Sequence, residues 1–233
     1  MKTPNQKAFT LIELLVVISI IAILAGIALP AFTAVQTKGA QTKALSNAKQ
    51  IGMACKLFAG DYNGNFPLYT DVATKALATN GSDSNAVLQT LMPDYLPDKS
   101  IFAIPKSAFC RNAGTASTGA NALLLNTLEN EWAYVLGLTD TSNSQWPLIA
   151  SGFASATSGT YVDDETAQGG IWRNKAAIVI RCDISGKVEK LVGTTTKVVP
   201  RSDSDPTNAF VYQAAAGNVP AWLGSGTSVL NPR

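Results

Sequence analysis

Histidine is absent from this chain, and cysteine occurs three times, at Cys55, Cys110 and Cys182. Without histidine there is no histidine-based triad, no imidazole acid–base chemistry and none of the usual zinc ligand sets. Three thiols permit one intramolecular bridge and leave one over, and spacing does not rank the possible pairings. A bridge is allowed if the chain is exported. No phosphate-binding loop of the form G-x-x-x-x-G-K-[ST] occurs, so any ATP-driven work must come from another protein. Charge is sparse as well: 18 Lys and Arg against 16 Asp and Glu, a formal net charge of +2. No basic cluster interleaves with aromatic residues, and nucleic acid is not an expected partner.

What is present begins with Lys7 to Pro30, KAFTLIELLVVISIIAILAGIALP. The next charge after Glu13 is Lys38, so Leu14 to Thr37 is uncharged, and a membrane-spanning helix needs only about 20 apolar residues. Glu13 at the start of this run demands a reason, because a lone charge deep in lipid costs roughly 2.5–3.5 kcal/mol on insertion scales. A signal peptide would need a short apolar core and a small-residue cleavage site, for which Gly26-Ile27-Ala28 is a poor match, and such cores do not normally carry an acid. A plain membrane anchor fits the length but gives Glu13 no role.

The run Lys7-Ala8-Phe9-Thr10-Leu11-Ile12-Glu13-Leu14 resembles the prepilin motif of type IV pilins and of the pseudopilins of type II secretion. In that family a basic leader is removed just before the Phe by a prepilin peptidase, the new N-terminus is methylated, and the acid five residues into the mature chain is kept. The resemblance implies cleavage between Ala8 and Phe9 and methylation of Phe9. The family usually has Gly at the position of Ala8; alanine is nearly as small, which implies slower rather than blocked processing. The freed amine of a neighbouring copy is a suitable counter-ion for Glu13, and pairing between chains would set the axial stagger of a filament. The partners implied are further copies of this chain, the peptidase, an inner-membrane secretion or pilus assembly platform, and the membrane itself. Lys2 and Lys7 in the acid-free leader keep that end cytoplasmic, which places the head on the periplasmic side of a bacterial inner membrane.

Helical periodicity continues past the apolar run, with Leu45, Ala48, Ile51 or Gly52, Cys55 and Phe58 on one stripe. Cys55 on that stripe reads as core. Lys38, Lys43, Lys49 and Lys56 occupy other positions and read as a solvated face. A helix from Phe9 to Ala59 would be roughly 75 Å long at 1.5 Å per residue. Pro30, aided by Gly26, is expected to kink it. GDYNGNFP (Gly60 to Pro67) ends it. Asp61, Asn63 and Asn65 there only begin a calcium loop, since Gly64 comes too early and Val72 stands where the loop needs an acid.

The remainder predicts a short helix over Asn85 to Met92, a loop from Arg111 to Ala122, and strands over Glu131 to Leu138, Ala176 to Asp183 and Lys187 to Gly193. Asp183-Ile184-Ser185-Gly186 joins the last two as a hairpin. The expected fold is α+β, a long N-terminal transmembrane helix packed on an antiparallel sheet, which the pilin resemblance also implies. Its parts are a leader (1–8), a membrane or filament-core helix (9–37), an amphipathic helix (38–60) and a head (61–233) with a hairpin and a loop-rich tail. Acids gather at Asp163-Asp164-Glu165 and at Asp203 with Asp205. Calcium is the one cofactor considered, with Asp163 and Asp164 as first candidates; the alternative is a solvated turn. Trp132 and Trp172 read as core, and Trp222 lies in an apolar tail. The expected function is a non-enzymatic subunit of a type II secretion pseudopilus or a type IV pilus-like filament. The alternative is a monomeric, membrane-tethered binding domain.

Overall fold

The computed structural model describes residues 9–71, 73, 76–78, 83–110, 124–155, 159–194, 196–202, 205–210 and 229–232. The leader, Ala8, the loop centred on 111–123, Asp203 and Trp222 lie outside the described residues. In chain order the elements are α1 (Leu11–Asp61), β1 (Tyr69–Asp71), β2 (Ala76–Leu77), α2 (Ser84–Leu88), β3 (Trp132–Val135) and β4 (Pro147–Ser151). There follow β5 (Thr160–Tyr161), β6 (Ala176–Arg181), β7 (Gly186–Lys190), β8 (Lys197–Val198), β9 (Pro200–Ser202), β10 (Asp205–Asn208) and β11 (Val229–Leu230). The chain divides into two compact units, Met1–Ala40 and Gln41–Arg233.

The second unit is built on a five-stranded antiparallel sheet in the order β11-β3-β4-β6-β7. All of β3 and β4 and the middle of β6 are buried. Strands covered on both faces read as continuous apolar runs rather than as an alternation. The edge strand β7 instead exposes Lys187 and Lys190, charges that discourage pairing with another sheet. Its Glu189 is buried but accepts from the Arg181 guanidinium at 2.8 Å, with Lys187 3.2 Å away.

From Gln41 onward α1 belongs to this unit. Ala44, Ala48, Ile51, Cys55 and Phe58 are fully buried along one face, the predicted stripe except that Ala44 rather than the half-buried Leu45 begins it, while Lys43 and Lys49 are exposed. Gly52 sits where the helix meets β6: a methyl there would lie 3.1 Å from Ile180 Cγ2 and 3.3 Å from Ile184 Cδ1. The β6–β7 hairpin forms where expected, but its glycine serves another purpose. Ile184 takes the left-handed conformation (φ 64°), and Gly186 sits where a Cβ would press on Ile180 and lie 2.9 Å from Leu45 Cδ1. The predicted helix over Asn85 to Met92 is shorter, α2 followed by a 3-10 turn over Gln89–Leu91, and Asp83 caps it by accepting from Ala86 N at 2.8 Å.

A buried polar cluster fixes α2 against β3. Asn130 Nδ2 donates to Ser84 Oγ and Asn85 Oδ1, and Asn130 Oδ1 accepts from Trp132 N at 2.9 Å. Trp132 is fully buried, with its indole donating to Ile101 O, and Trp172 is buried at 6% exposure.

Candidate functional site

The first turn of α1 is closed by a reciprocal cap. Thr10 N and Thr10 Oγ1 both donate to Glu13 Oε2, at 2.8 and 2.7 Å, and Glu13 N donates back to Thr10 Oγ1 at 3.3 Å. This is a capping box, in which a Thr before the helix and a Glu three residues on satisfy backbone donors that have no partner in the helix itself. The T-x-x-E spacing that signals it is present in the sequence, but the sequence reading gave Glu13 only an intermolecular role. Both bonds use the same carboxylate oxygen, Oε2. Phe9, just before the cap, is 71% exposed.

Beyond Glu13 the helix presents apolar surface all round. Leu14, Leu15, Ile18, Ile23, Ile27 and Val35 are all more than half exposed. The most apolar 18-residue window of α1 has a mean hydropathy of 2.8, and none of it is buried. The few hydroxyls in this stretch fold back on the backbone: Ser19 Oγ donates to Leu15 O, Thr33 Oγ1 to Pro30 O and Thr37 Oγ1 to Thr33 O. That hides their polarity, as an apolar surrounding demands. The helix is continuous through Gly26 and Pro30. Pro30 donates no backbone bond to Gly26 O.

The other sequence candidates lie in the second unit. Asp164 Oδ1 accepts from Thr166 N and Thr166 Oγ1, which holds its carboxyl below the usual carboxylate range. Glu165 pairs with Arg173. Asp163 and Asp164 are both exposed, and among the described residues no group of three or more His, Cys, Asp and Glu converges on a point a metal could occupy. Asp61, in the partial calcium motif, accepts from the Tyr95 hydroxyl at 2.6 Å. A cleft of about 260 Å³ between Leu68, Leu77, Leu136 and Leu138 has no titratable lining residue.

The prokaryotic N-terminal methylation motif matches residues 3–29. At its N-terminus the chain is similar to type IV pilins. Over 55 residues it is 46% identical to the type IV major pilin protein PilA of Myxococcus xanthus (strain DK1622), a match covering 24% of this chain and 25% of that one. The chain thus spans about a quarter of the length of the curated relative it matches. No solved structure matches. Phe9 and Thr10 precede the helix, Glu13 lies in its first turn, and the exposed apolar surface follows directly behind them.

Proposed function

We propose that this protein is a structural subunit of a type IV pilus-like filament, cut between Ala8 and Phe9 by a prepilin peptidase and polymerised through α1. The observation that carries the reading is the methylation motif over residues 3–29 running into an apolar helical surface that the chain itself leaves uncovered. Lipid covers that surface while the subunit waits in the inner membrane with its head on the periplasmic side. Neighbouring helices, delivered by an inner-membrane assembly platform, cover it in the filament. Glu13, through the carboxylate capacity its cap does not use, meets the freed Phe9 amine of an adjacent copy. The subunit needs no catalytic group of its own.

The pilin relative favours a surface pilus over a secretion pseudopilus. The test is N-terminal sequencing and intact mass of the protein recovered from cells, together with its search in sheared surface filaments. A chain beginning at a methylated Phe9 and found in those filaments is the expected result. The same mature end confined to the envelope would point to a pseudopilus, and an intact Met1 or a cut at another bond would overturn assembly.

A tethered monomer is the second reading. The capping box favours it, because Thr10 alone gives Glu13 a local purpose. Glu13→Gln, which keeps the cap but not the charge, separates the two: a filament subunit inserts in the membrane but does not polymerise, whereas a tethered monomer keeps its binding.

A further inference from the structure

All three cysteines are buried free thiols in the structure, and their placement distinguishes them. Alternation along β6 and into the turn behind it buries Ile180 and Cys182 and leaves Arg181 and Asp183 more exposed. Ile180 and Ile184, on either side of Cys182, both meet α1 at Gly52. Cys55 follows Gly52 by just under one helical turn, on the buried stripe that carries Ile51 and Phe58. Cys55 on α1 and Cys182 between Ile180 and Ile184 therefore flank the same seam, at 0% and 1% exposure. Burial first, and then the neighbouring Cys182 thiol, hold Cys55 above the usual thiol range. Tyr134, fully buried, is raised by burial and then by both of these thiols. Cys110 stands apart: its amide donates to Ser107 Oγ, and its charged neighbours are Glu131 and Glu129.

We infer that Cys55 and Cys182 form a disulfide joining the second half of α1 to the β6–β7 hairpin, with Cys110 left as the free thiol. Formation removes one hydrogen from each thiol and passes two electrons to a disulfide of an oxidising partner, a protein thiol oxidant or oxidised glutathione, which is reduced to two thiols. Such oxidants act outside the cytoplasm, so bridge formation in the cell rests on the periplasmic placement of the head proposed above. The packed thiols are inaccessible and poorly ionised, so the bridge forms during folding, before α1 closes over the sheet. Once made, it is shielded from reductants by the same packing. A pull on α1 is then transmitted covalently to the β6–β7 hairpin at the sheet's edge.

The test counts thiols in the full chain, extracted from cell envelopes in detergent, unfolded in urea and reacted with a polyethylene-glycol maleimide. One adduct without reductant and three after reduction are expected, with a non-reduced peptide map joining the Cys55 and Cys182 peptides. Cys182→Ser should yield two adducts without reductant. Three adducts without reduction, in a chain whose head is cut by protease added outside spheroplasts, would overturn the pairing, as would a bridge to Cys110. Should the head prove cytoplasmic, the count is repeated after refolding from urea in detergent with a glutathione redox buffer. A Cys55–Cys182 bridge there upholds the pairing while the location falls, and its absence overturns the pairing itself.

Discussion

Glu13 caps α1 and is proposed to pair with a neighbouring copy, and removal of the side chain would confound the two, because alanine abolishes both the cap and the charge. Glutamine separates them: its amide oxygen can still accept from Thr10, and Gln is a normal member of the capping box. Glu13→Gln should therefore keep helix α1 intact, costing well under the ~1 kcal/mol of a lost cap, yet abolish filaments if an ion pair with the next subunit sets the stagger. Electron microscopy of sheared filaments beside circular dichroism of the detergent-extracted subunit reads the two effects separately, and normal filaments from this variant would assign Glu13 to capping alone. A second carboxyl, Glu131, shows the opposite environment. It is fully buried, Oε2 accepts from Ser107 Oγ at 2.5 Å, and Oε1 has no hydrogen-bond partner. Burial pushes Glu131 up to about 7 from 4.5, against the lowering effect of Ser107. The folded state thus holds a proton that the unfolded chain has already lost, so this contribution is complete below pH 4.5 and disappears as pH rises through about 7. Across that window stability should fall by up to about 3 kcal/mol. Glu131→Gln keeps an acceptor for Ser107 but cannot ionise, and urea unfolding of the detergent-solubilised chain at pH 5 and pH 8 should show a flatter dependence than the parent. An unchanged slope would place the titration elsewhere.

At the scale of elements, the acidic loop after β5 is held by its glycines. Gly169 has φ 78°, and a Cβ there would drive into the Ala154 amide and lie 2.7 Å from the Phe153 carbonyl carbon. Backbone cannot retreat as a side-chain tip can, so Gly169→Ala combines left-handed strain with overpacking and should cost about 3 kcal/mol. Thermal unfolding followed by tryptophan fluorescence measures it; a loss below about 0.5 kcal/mol would mean that the loop moves freely off the Phe153–Ala154 backbone. In this tight turn Asp164 accepts from Thr166 and Glu165 pairs with Arg173, contacts that composition does not reveal. Local patterns were otherwise a good guide where an element is long or carries its own signal. The apolar stripe of α1 and the β6–β7 hairpin are both found, within the few residues by which strand ends shift. β4 was missed because it opens on Pro147 and is buried throughout, so it shows neither alternation nor a strand-like start. β11 is two residues long and takes its place from β3 across a large separation in sequence, which no local pattern records. The Ser84–Asn85–Asn130 cluster was illegible for a related reason: polar residues of ordinary loop character become buried only when distant segments satisfy them.

At the scale of the whole molecule, the continuous helix serves two units with different needs. Ala44, Ala48, Ile51, Cys55 and Phe58 are indispensable to the second unit: Phe58 stacks on Tyr62 with ring centroids 4.0 Å apart and meets Tyr95 edge-on. Truncating one large buried side chain costs about 2–5 kcal/mol, so losing this whole face exceeds a domain's entire stability of roughly 5–15 kcal/mol. None of the most apolar window of α1, by contrast, is buried in the chain. A fragment of residues 41–233 should consequently remain folded without detergent, with a melting temperature within a few degrees of the full chain, and should elute as a monomer. A fragment of residues 62–233 should not fold. Circular dichroism melts and size-exclusion chromatography of the two fragments provide the comparison. If 41–233 failed to fold while the full chain did, residues before Gln41 would be contributing to the head's own stability, and their apolar surface could no longer be assigned wholly to lipid and neighbouring subunits.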